Sequence, residues 1–286
     1  MTRVSVVIPT RNRPDLLTGC LRALVASFPA DAETVVVSDE DAIELGPWLA
    51  PFVEPLRLRC VVGRSAGPAA ARNCGLAVAR GEIVAFTDDD CRPRPGWVAT
   101  LAAGVSASTP RATGGTTLNA VADNPYADAA QVILDVVARH ERRAYGGEQF
   151  FPSNNLAFPA DVLRGLGGFD ESFRTAEDRD LCRRWRQAGF VLQRIPEAVV
   201  DHAPSLDLSS FVRKFFAYGQ GAARFHSSRA GRSLRDAVAF HLKLPALAGP
   251  VLRQRGFKRG AELAGLLVLW EVANLGGFLT ARSRLG

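Results

Sequence analysis

Cysteine is sparse in this 286-residue chain: five residues, at positions 20, 60, 74, 91 and 182, with neither the spacing of a metal cage nor the density of a disulfide-framed secreted scaffold. A reducing compartment is the expectation. There is no low-complexity tract and no internal repeat, so neither a disordered linker nor a solenoid is expected. The N-terminus has no long apolar run. Met1-Thr2-Arg3 leads directly into Val4-Ser5-Val6-Val7-Ile8, and charged residues follow at once, which is too short for a secretory signal and points to the cytoplasm.

What is present is ordinary globular composition, 47% hydrophobic and 22% charged, in a chain long enough to bury a large core. The net charge of +6 is unevenly spread. Residues 1–202 carry 22 Lys+Arg against 25 Asp+Glu, and residues 203–286 carry 13 against 4. A basic tail that is also rich in apolar residues favours anionic lipid headgroups over nucleic acid, or else forms a solvated helix face.

Short β-branched runs alternate with helical patterns over the first ninety residues. Val4–Ile8, Thr34–Val37, Leu58–Val62 and Ile83–Phe86 read as buried strands, with helices over Asp15–Phe28 and Pro68–Ala79 between them. This order implies an α/β fold built on a parallel sheet with helices on both faces. In such sheets ligands bind at the carboxyl ends of strands, where Thr10, Asp39 and Asp88-Asp89-Asp90 all fall. Further helices are expected over Asn119–Arg143, over Asp161–Leu166 and from Thr175 to Ala188. A strand over Phe190–Ile195 and the run Val199–His202 then close the domain near residue 204.

Three adjacent carboxylates at a strand end raise one another's pKa unless a cation sits among them. A hard divalent ion relieves that repulsion and can bridge to substrate phosphates; an acidic surface turn is the structural alternative. Glu177-Asp178, after Thr175-Ala176, fits a helix-capping box as readily as a catalytic pair.

The order of these elements resembles the family 2 glycosyltransferases, inverting enzymes of the GT-A fold. The resemblance rests on Pro9-Thr10-Arg11-Asn12-Arg13, Ser38-Asp39, Ala71-Arg72-Asn73-Cys74-Gly75, Asp88-Asp89-Asp90, Asn154-Asn155-Leu156-Ala157, Gly167-Gly168-Phe169-Asp170-Glu171, Glu177-Asp178-Arg179-Asp180-Leu181 and His202, in order across residues 3–203. It implies a GT-A catalytic domain over 1–204, with a nucleotide-sugar half at 1–118 and an acceptor half at 119–204, followed by a helical C-terminal region at 205–286.

The resemblance also implies roles. Pro9, Thr10, Arg11, Asp39, Arg72, Asp88 and Asp89 would meet a nucleotide-diphosphate sugar; Asp88, Asp90 and His202 would hold Mn²⁺ or Mg²⁺; Asp178, beside Glu177, would be the general base. Asn154, Asn155 and Trp97 would face a carbohydrate or lipid-linked acceptor. Ser38 and Glu40 depart from the residues the family often has beside Asp39, which leaves the base open. Two alternatives remain, a nucleotide-sugar-binding protein without turnover and a sugar nucleotidyltransferase. The second would want a glycine-rich phosphate loop after the first strand, and Pro9–Pro14 contains no glycine.

In the tail, Phe211–Tyr218 is basic, aromatic and amphipathic, a pattern suited to a membrane interface. Leu263–Thr280 is apolar except for Glu271 and Asn274, a little short for a span. The expectation is a peripheral segment at the inner face of the cell membrane rather than the spanning helices of a processive synthase.

Overall fold

A computed structural model describes residues 3–38, 45–64, 66–227 and 234–285. The chain divides into two compact units. The first comprises 1–120, 148–172 and 177–203, and the second 121–147, 173–176 and 204–286.

The first unit is an eight-stranded mixed sheet. In chain order its elements are β1 (Val4–Thr10), α1 (Pro14–Val25), β2 (Ala32–Ser38), the short helices α2 (Gly46–Leu49) and α3 (Val53–Leu56), β3 (Leu58–Val62), α4 (Pro68–Val78), β4 (Ile83–Phe86), β5 (Cys91–Pro93), α5 (Trp97–Ala103) and β6 (Arg111–Asn119). Then come β7 (Leu156–Pro159), α7 (Ala160–Gly165), α8 (Glu177–Gln187) and β8 (Val191–His202).

The strand order is β3-β2-β1-β4-β7-β6-β8-β5. The four strands read from sequence are mutually parallel, with Val7 opposite Phe86 and Thr10 opposite Ser38. Beyond them the sheet is mixed: β7 runs antiparallel to both β4 and β6, and β5 antiparallel to β8.

Both faces of the parallel half are covered, because successive side chains of a strand point to opposite sides. Val6 and Ile8 of β1 join Leu17 and Leu21 of α1 and Trp97 of α5 in one core. Val7, between them, joins Ala71 of α4, Leu163 of α7 and Trp185 of α8 in the other.

The sequence reading missed β6 and began a helix at Asn119, which is instead the last residue of that strand. Its run Arg-Ala-Thr-Gly-Gly-Thr-Thr-Leu-Asn has no apolar alternation and becomes a strand by pairing with β7 and β8. A Cβ on Gly115 would lie 2.0 Å from the Ala198 carbonyl oxygen, so a glycine lets β6 and β8 approach. The strand expected over Phe190–Ile195 and the run Val199–His202 form one strand, β8, with Pro196-Glu197 inside it and an irregularity between Gly114 and Thr116 on β6.

The second unit is helical: α6 (Pro125–Tyr145), α9 (Leu208–Ser227), α10 (Leu234–Gln254) and α11 (Phe257–Leu285). Asn124 caps α6 by accepting from the Tyr126 and Ala127 amides at 2.9 and 3.1 Å. Its apolar stripe, Val132, Ile133 and Val136, packs with Phe211 and Phe215 of α9 and with Leu263 and Trp270 of α11.

Two expectations change here. The helix assigned to the acceptor half groups with the C-terminal helices, because that is where its stripe is buried. Phe211 and Phe215 are core residues rather than a membrane-facing edge. A Cβ on Gly277 would stand 1.9 Å from the Phe216 carbonyl oxygen, so α9 and α11 cross at a glycine contact.

Candidate active site

β1 and β4 are neighbours running the same way, so their carboxyl ends open side by side. The Thr10 hydroxyl donates to Asp89 Oδ2 at 2.7 Å, and Arg13, in the loop after β1, donates from Nε to the same oxygen at 3.1 Å and reaches Asp90 at 3.3 Å. Arg13 closes the Pro9–Arg13 motif, which by itself assigns it no role. The signal for it is a second basic residue, after Arg11, in a short loop opposite an acidic run.

Asp89 is fully buried, and burial pushes its carboxyl up to about 6 against the opposing pull of Arg13 and Thr10. The donor-binding roles expected of Asp89 and of the Thr10 side chain are therefore corrected: each satisfies the other inside the protein and together they hold the acidic turn. Pro9 is partly exposed within β1 and Arg11 exposed just after it. Asp39 and Glu40 lie outside the described residues.

Asp88 and Asp90 diverge. Asp88 accepts from Arg72 at 2.7 Å, and the other terminal nitrogen of Arg72 donates to Glu177 Oε1 at 2.9 Å. Arg72 is the fifth residue of α4, only 4% exposed, with its guanidinium 5.7 Å from the centre of the Phe169 ring. One buried cation thus ties the strand-end acids to the Glu177-Asp178 pair, 105 residues further along the chain. Desolvation opposes its charge, but the carboxylates around it outweigh that and raise its pKa.

Asp90 faces His202. Cys91 pairs in register with His202 across β5 and β8, and His202 Nε2 lies 3.4 Å from Asp90 Oδ1. Ligand atoms of Asp90, Cys91 and His202 lie within 4.8 Å of one another. The Cys91 thiol is buried and pushed well above its ordinary pKa by that burial, so the available donors are the Asp90 carboxylate, suited to a hard ion, and the borderline His202 imidazole. Asp88 stands outside this group because its carboxylate is turned to Arg72.

Glu177 is buried, and its carboxyl is pushed up to about 7, first by burial and then by Asp178, against the pull of Arg72. Asp178 is half-buried and accepts from the Arg179 amide at 2.7 Å; burial also raises its pKa. Glu177 and Asp178 lie in the first turn of α8, where a helix N-terminus favours acidic groups with or without a catalytic role. The Thr175 hydroxyl donates to the Ala217 carbonyl at 2.8 Å, and Ala176 takes the left-handed backbone at φ +66°. A non-glycine residue there stores of order 1 kcal/mol of strain directly before the acidic pair.

Two motifs explain each other. Asn73 donates to the Phe169 carbonyl at 2.8 Å and to Glu171 at 2.9 Å, and accepts from the Phe169 amide at 2.8 Å. Gly168 has φ +63°, and a Cβ there would meet Asn73 Oδ1 at 2.5 Å. The Gly-Gly-Phe turn is therefore shaped around Asn73, a role the sequence reading did not assign. Four residues apart on α8, Arg184 donates to Asp180 at 2.7 Å and also to the Leu166 and Gly168 carbonyls.

The acceptor-facing roles of Trp97 and Asn155 are corrected. Both are buried: the Trp97 indole donates to Asn155 Oδ1 at 2.8 Å, and the Asn155 amide donates to the Thr116 and Ala198 carbonyls at 3.0 Å each. They lock β6, β7 and β8 together. Asn154 accepts from the Thr117 hydroxyl at 3.1 Å.

An α/β sheet that gathers an acidic strand end, a buried arginine and a second carboxylate pair is the GT-A arrangement. Among solved structures, a mannosyltransferase from Pyrobaculum calidifontis, in complex with GDP-Man and Mn²⁺, superposes with a TM-score of 0.67 at 22% identity, over 98% of this chain and 86% of that one. The family model for glycosyl transferase family 2 matches residues 5–164. The chain belongs to that family. It is 33% identical over 226 residues to the pre-mycofactocin glycosyltransferase of Mycobacterium tuberculosis, covering 77% of this chain and 47% of that protein. It is 25% identical to the glycosyltransferase AglE of Haloferax volcanii, covering 76% of this chain and 72% of AglE. The chain therefore spans about half the length of the mycobacterial relative.

Proposed function

We propose that this chain transfers a sugar from a nucleotide-diphosphate donor to an acceptor hydroxyl, with inversion at the anomeric carbon. The observation that carries the reading is the Arg72 bridge, which joins Asp88 at the strand end to Glu177 beside Asp178. It sets a donor-phosphate region and a candidate base on two sides of one buried cation. The Pyrobaculum structure was solved with a nucleotide sugar and Mn²⁺, which supports a donor of that class.

The donor set fits a divalent ion in part, since Asp90 and His202 converge and donor phosphates would complete the shell. These residues would hold Mn²⁺ or Mg²⁺, which when bound would neutralise charge on the departing diphosphate. Asp178 takes the proton of the acceptor hydroxyl as that oxygen attacks the anomeric carbon. The new C–O bond forms while the bond to the diphosphate oxygen breaks, and its electron pair leaves with the phosphate. The transition state carries oxocarbenium character, as in glycoside hydrolysis. Arg72 keeps Glu177 oriented beside the base, and Pro9 and Arg11 border the donor. Asn154 is the remaining acceptor-side residue.

The acceptor is a carbohydrate or a lipid-linked glycan precursor, in a cell-envelope pathway at the inner membrane face. The support is the basic tail and α11, which extends beyond the Leu263–Thr280 run that reads as short for a span and over Phe257–Arg284 is long and apolar enough by length and composition to cross a membrane.

A thermal-shift screen of nucleotide sugars with and without Mn²⁺ tests the reading, since donor binding stabilises the folded state by mass action. Asp90→Ala is expected to abolish the metal-dependent shift. Asp178→Asn is expected to keep that shift while turnover falls by about 10²–10⁴-fold. Normal turnover by Asp178→Asn would remove the base assignment.

A further inference from the structure

α11 has two apolar faces. One is buried, with Leu263, Leu267, Trp270 and Ala273 in the helical core. On the other, Val268, Val272, Leu275 and Leu279 recur at helical spacing and are each more than half exposed. A continuous exposed apolar stripe of this kind marks a surface that meets something apolar.

Behind the stripe lies a cavity of about 610 Å³ among α9, α10 and α11, within the usual range of a small-ligand site. Leu244, Ala248 and Leu252 of α10 and Leu267 and Phe278 of α11 line it. Val268 and Leu275 of the stripe also line it, as does Leu242, which is 78% exposed. The mouth of the cavity and the exposed stripe are thus one surface.

The acidic residue in the middle of α11 does not break this pattern. Glu271 meets His241 of α10 at 2.7 Å, so these two polar groups of the lining satisfy one another. His226 and Asn274 also line the cavity, but the walls are otherwise apolar, and a peptide or sugar occupant would bring more polar groups than they can partner. A hydrocarbon chain needs none.

Charge at the helix ends indicates the phase that delivers it. At the N-terminal end Phe257 is 96% exposed, beside exposed Lys258, and Arg255 and Arg259 brace this end by gripping buried Asp128 at 3.0 and 3.3 Å. Exposed Arg282 and Arg284 stand at the other end. An aromatic tip with cationic flanks and an apolar stripe between them complements an anionic bilayer.

We infer that the cavity among α9, α10 and α11 binds one long hydrocarbon chain of a lipid, taken up through the exposed face of α11 from an anionic membrane. The inference rests on the membrane placement proposed above and is independent of the transfer chemistry.

The full-length protein is titrated with a fluorescent polyene fatty acid, which is then displaced with a straight-chain fatty acid or a branched prenyl alcohol. Sedimentation with phosphatidylcholine vesicles, with and without phosphatidylglycerol, follows. Saturable binding of one probe per chain is expected, with sedimentation only by the anionic vesicles. The better displacer tells an acyl from a prenyl source. Ala248→Phe, which fills the cavity, and Leu242→Asp, which charges the mouth at an exposed position unable to disturb the core, are each expected to weaken the probe at least about tenfold. The thermal shift with nucleotide sugar and Mn²⁺ should be unchanged in both variants. Non-saturating binding, wild-type affinity in Leu242→Asp, or a dimer whose formation excludes the probe would overturn the inference. A missing donor shift in the wild type would count against the transfer reading alone.

Discussion

Asp88, Asp89 and Asp90 are three identical residues in a row with three fates. Asp89 is buried against Thr10 and Arg13, Asp88 is paired with Arg72, and Asp90 faces His202. The acidic run was legible in the sequence, but this division was not, because it depends on which side each carboxylate leaves the turn. The same environment sets a pH dependence. Burial raises the pKa of both Glu177 and Asp178, so the pair titrates as a unit above the ordinary carboxylate range. A general base works deprotonated; turnover should therefore be full above that raised value and fall as the pH drops through it. With Asp178 as the proposed base, a kcat profile whose acidic limb lies above the ordinary carboxylate range is the expected outcome. Glu33 has the opposite sign. Ser5, the Arg80 amide and Arg59 hydrogen-bond its carboxylate and overcome desolvation, lowering its pKa. Its stabilisation is present above the unfolded carboxylate value and lost as pH falls through the folded one. Glu33→Gln should reduce unfolding free energy at neutral pH by about 1–3 kcal/mol, and the difference should shrink in acid denaturation titrations.

Strands β1 to β4 were readable because a strand buried on both faces must be apolar throughout, and a short apolar run bounded by turn residues announces itself. β5 and β6 were not, since three residues and a Gly-Thr run become strands only beside β8. The Asn73 contacts show the same limit. Two motifs nearly a hundred residues apart form one turn, yet neither names the other. Asn73→Ala is expected to leave the buried Phe169 amide without its acceptor and lower stability by about 1–3 kcal/mol. Chemical denaturation should read this as a lower midpoint at unchanged slope. A wild-type midpoint would mean that the turn holds itself without Asn73.

Each of the two units has a core of its own, one packed on the faces of the sheet and one inside the helices. Chains built this way commonly depart from a single two-state transition. Calorimetry is expected to resolve two transitions. Donor with Mn²⁺ at about 100 times Kd should stabilise the one belonging to the sheet unit by about 2.7 kcal/mol. A single transition with calorimetric and van't Hoff enthalpies in agreement would show the chain to unfold as one cooperative body.

Local chemistry was already written in the chain: β-branched runs, strand-end carboxylates and their order along 200 residues lead to the α/β sheet and the family, because these follow from short-range patterning. Long-range packing settled the rest. Trp97 and Asn155 turned inward to join three strands, the helix over Pro125–Tyr145 buried its stripe with the C-terminal helices, and Arg72 reached across to Glu177. A polar or aromatic side chain satisfies itself with whatever the fold brings within about 3 Å, and residue type alone does not name that neighbour.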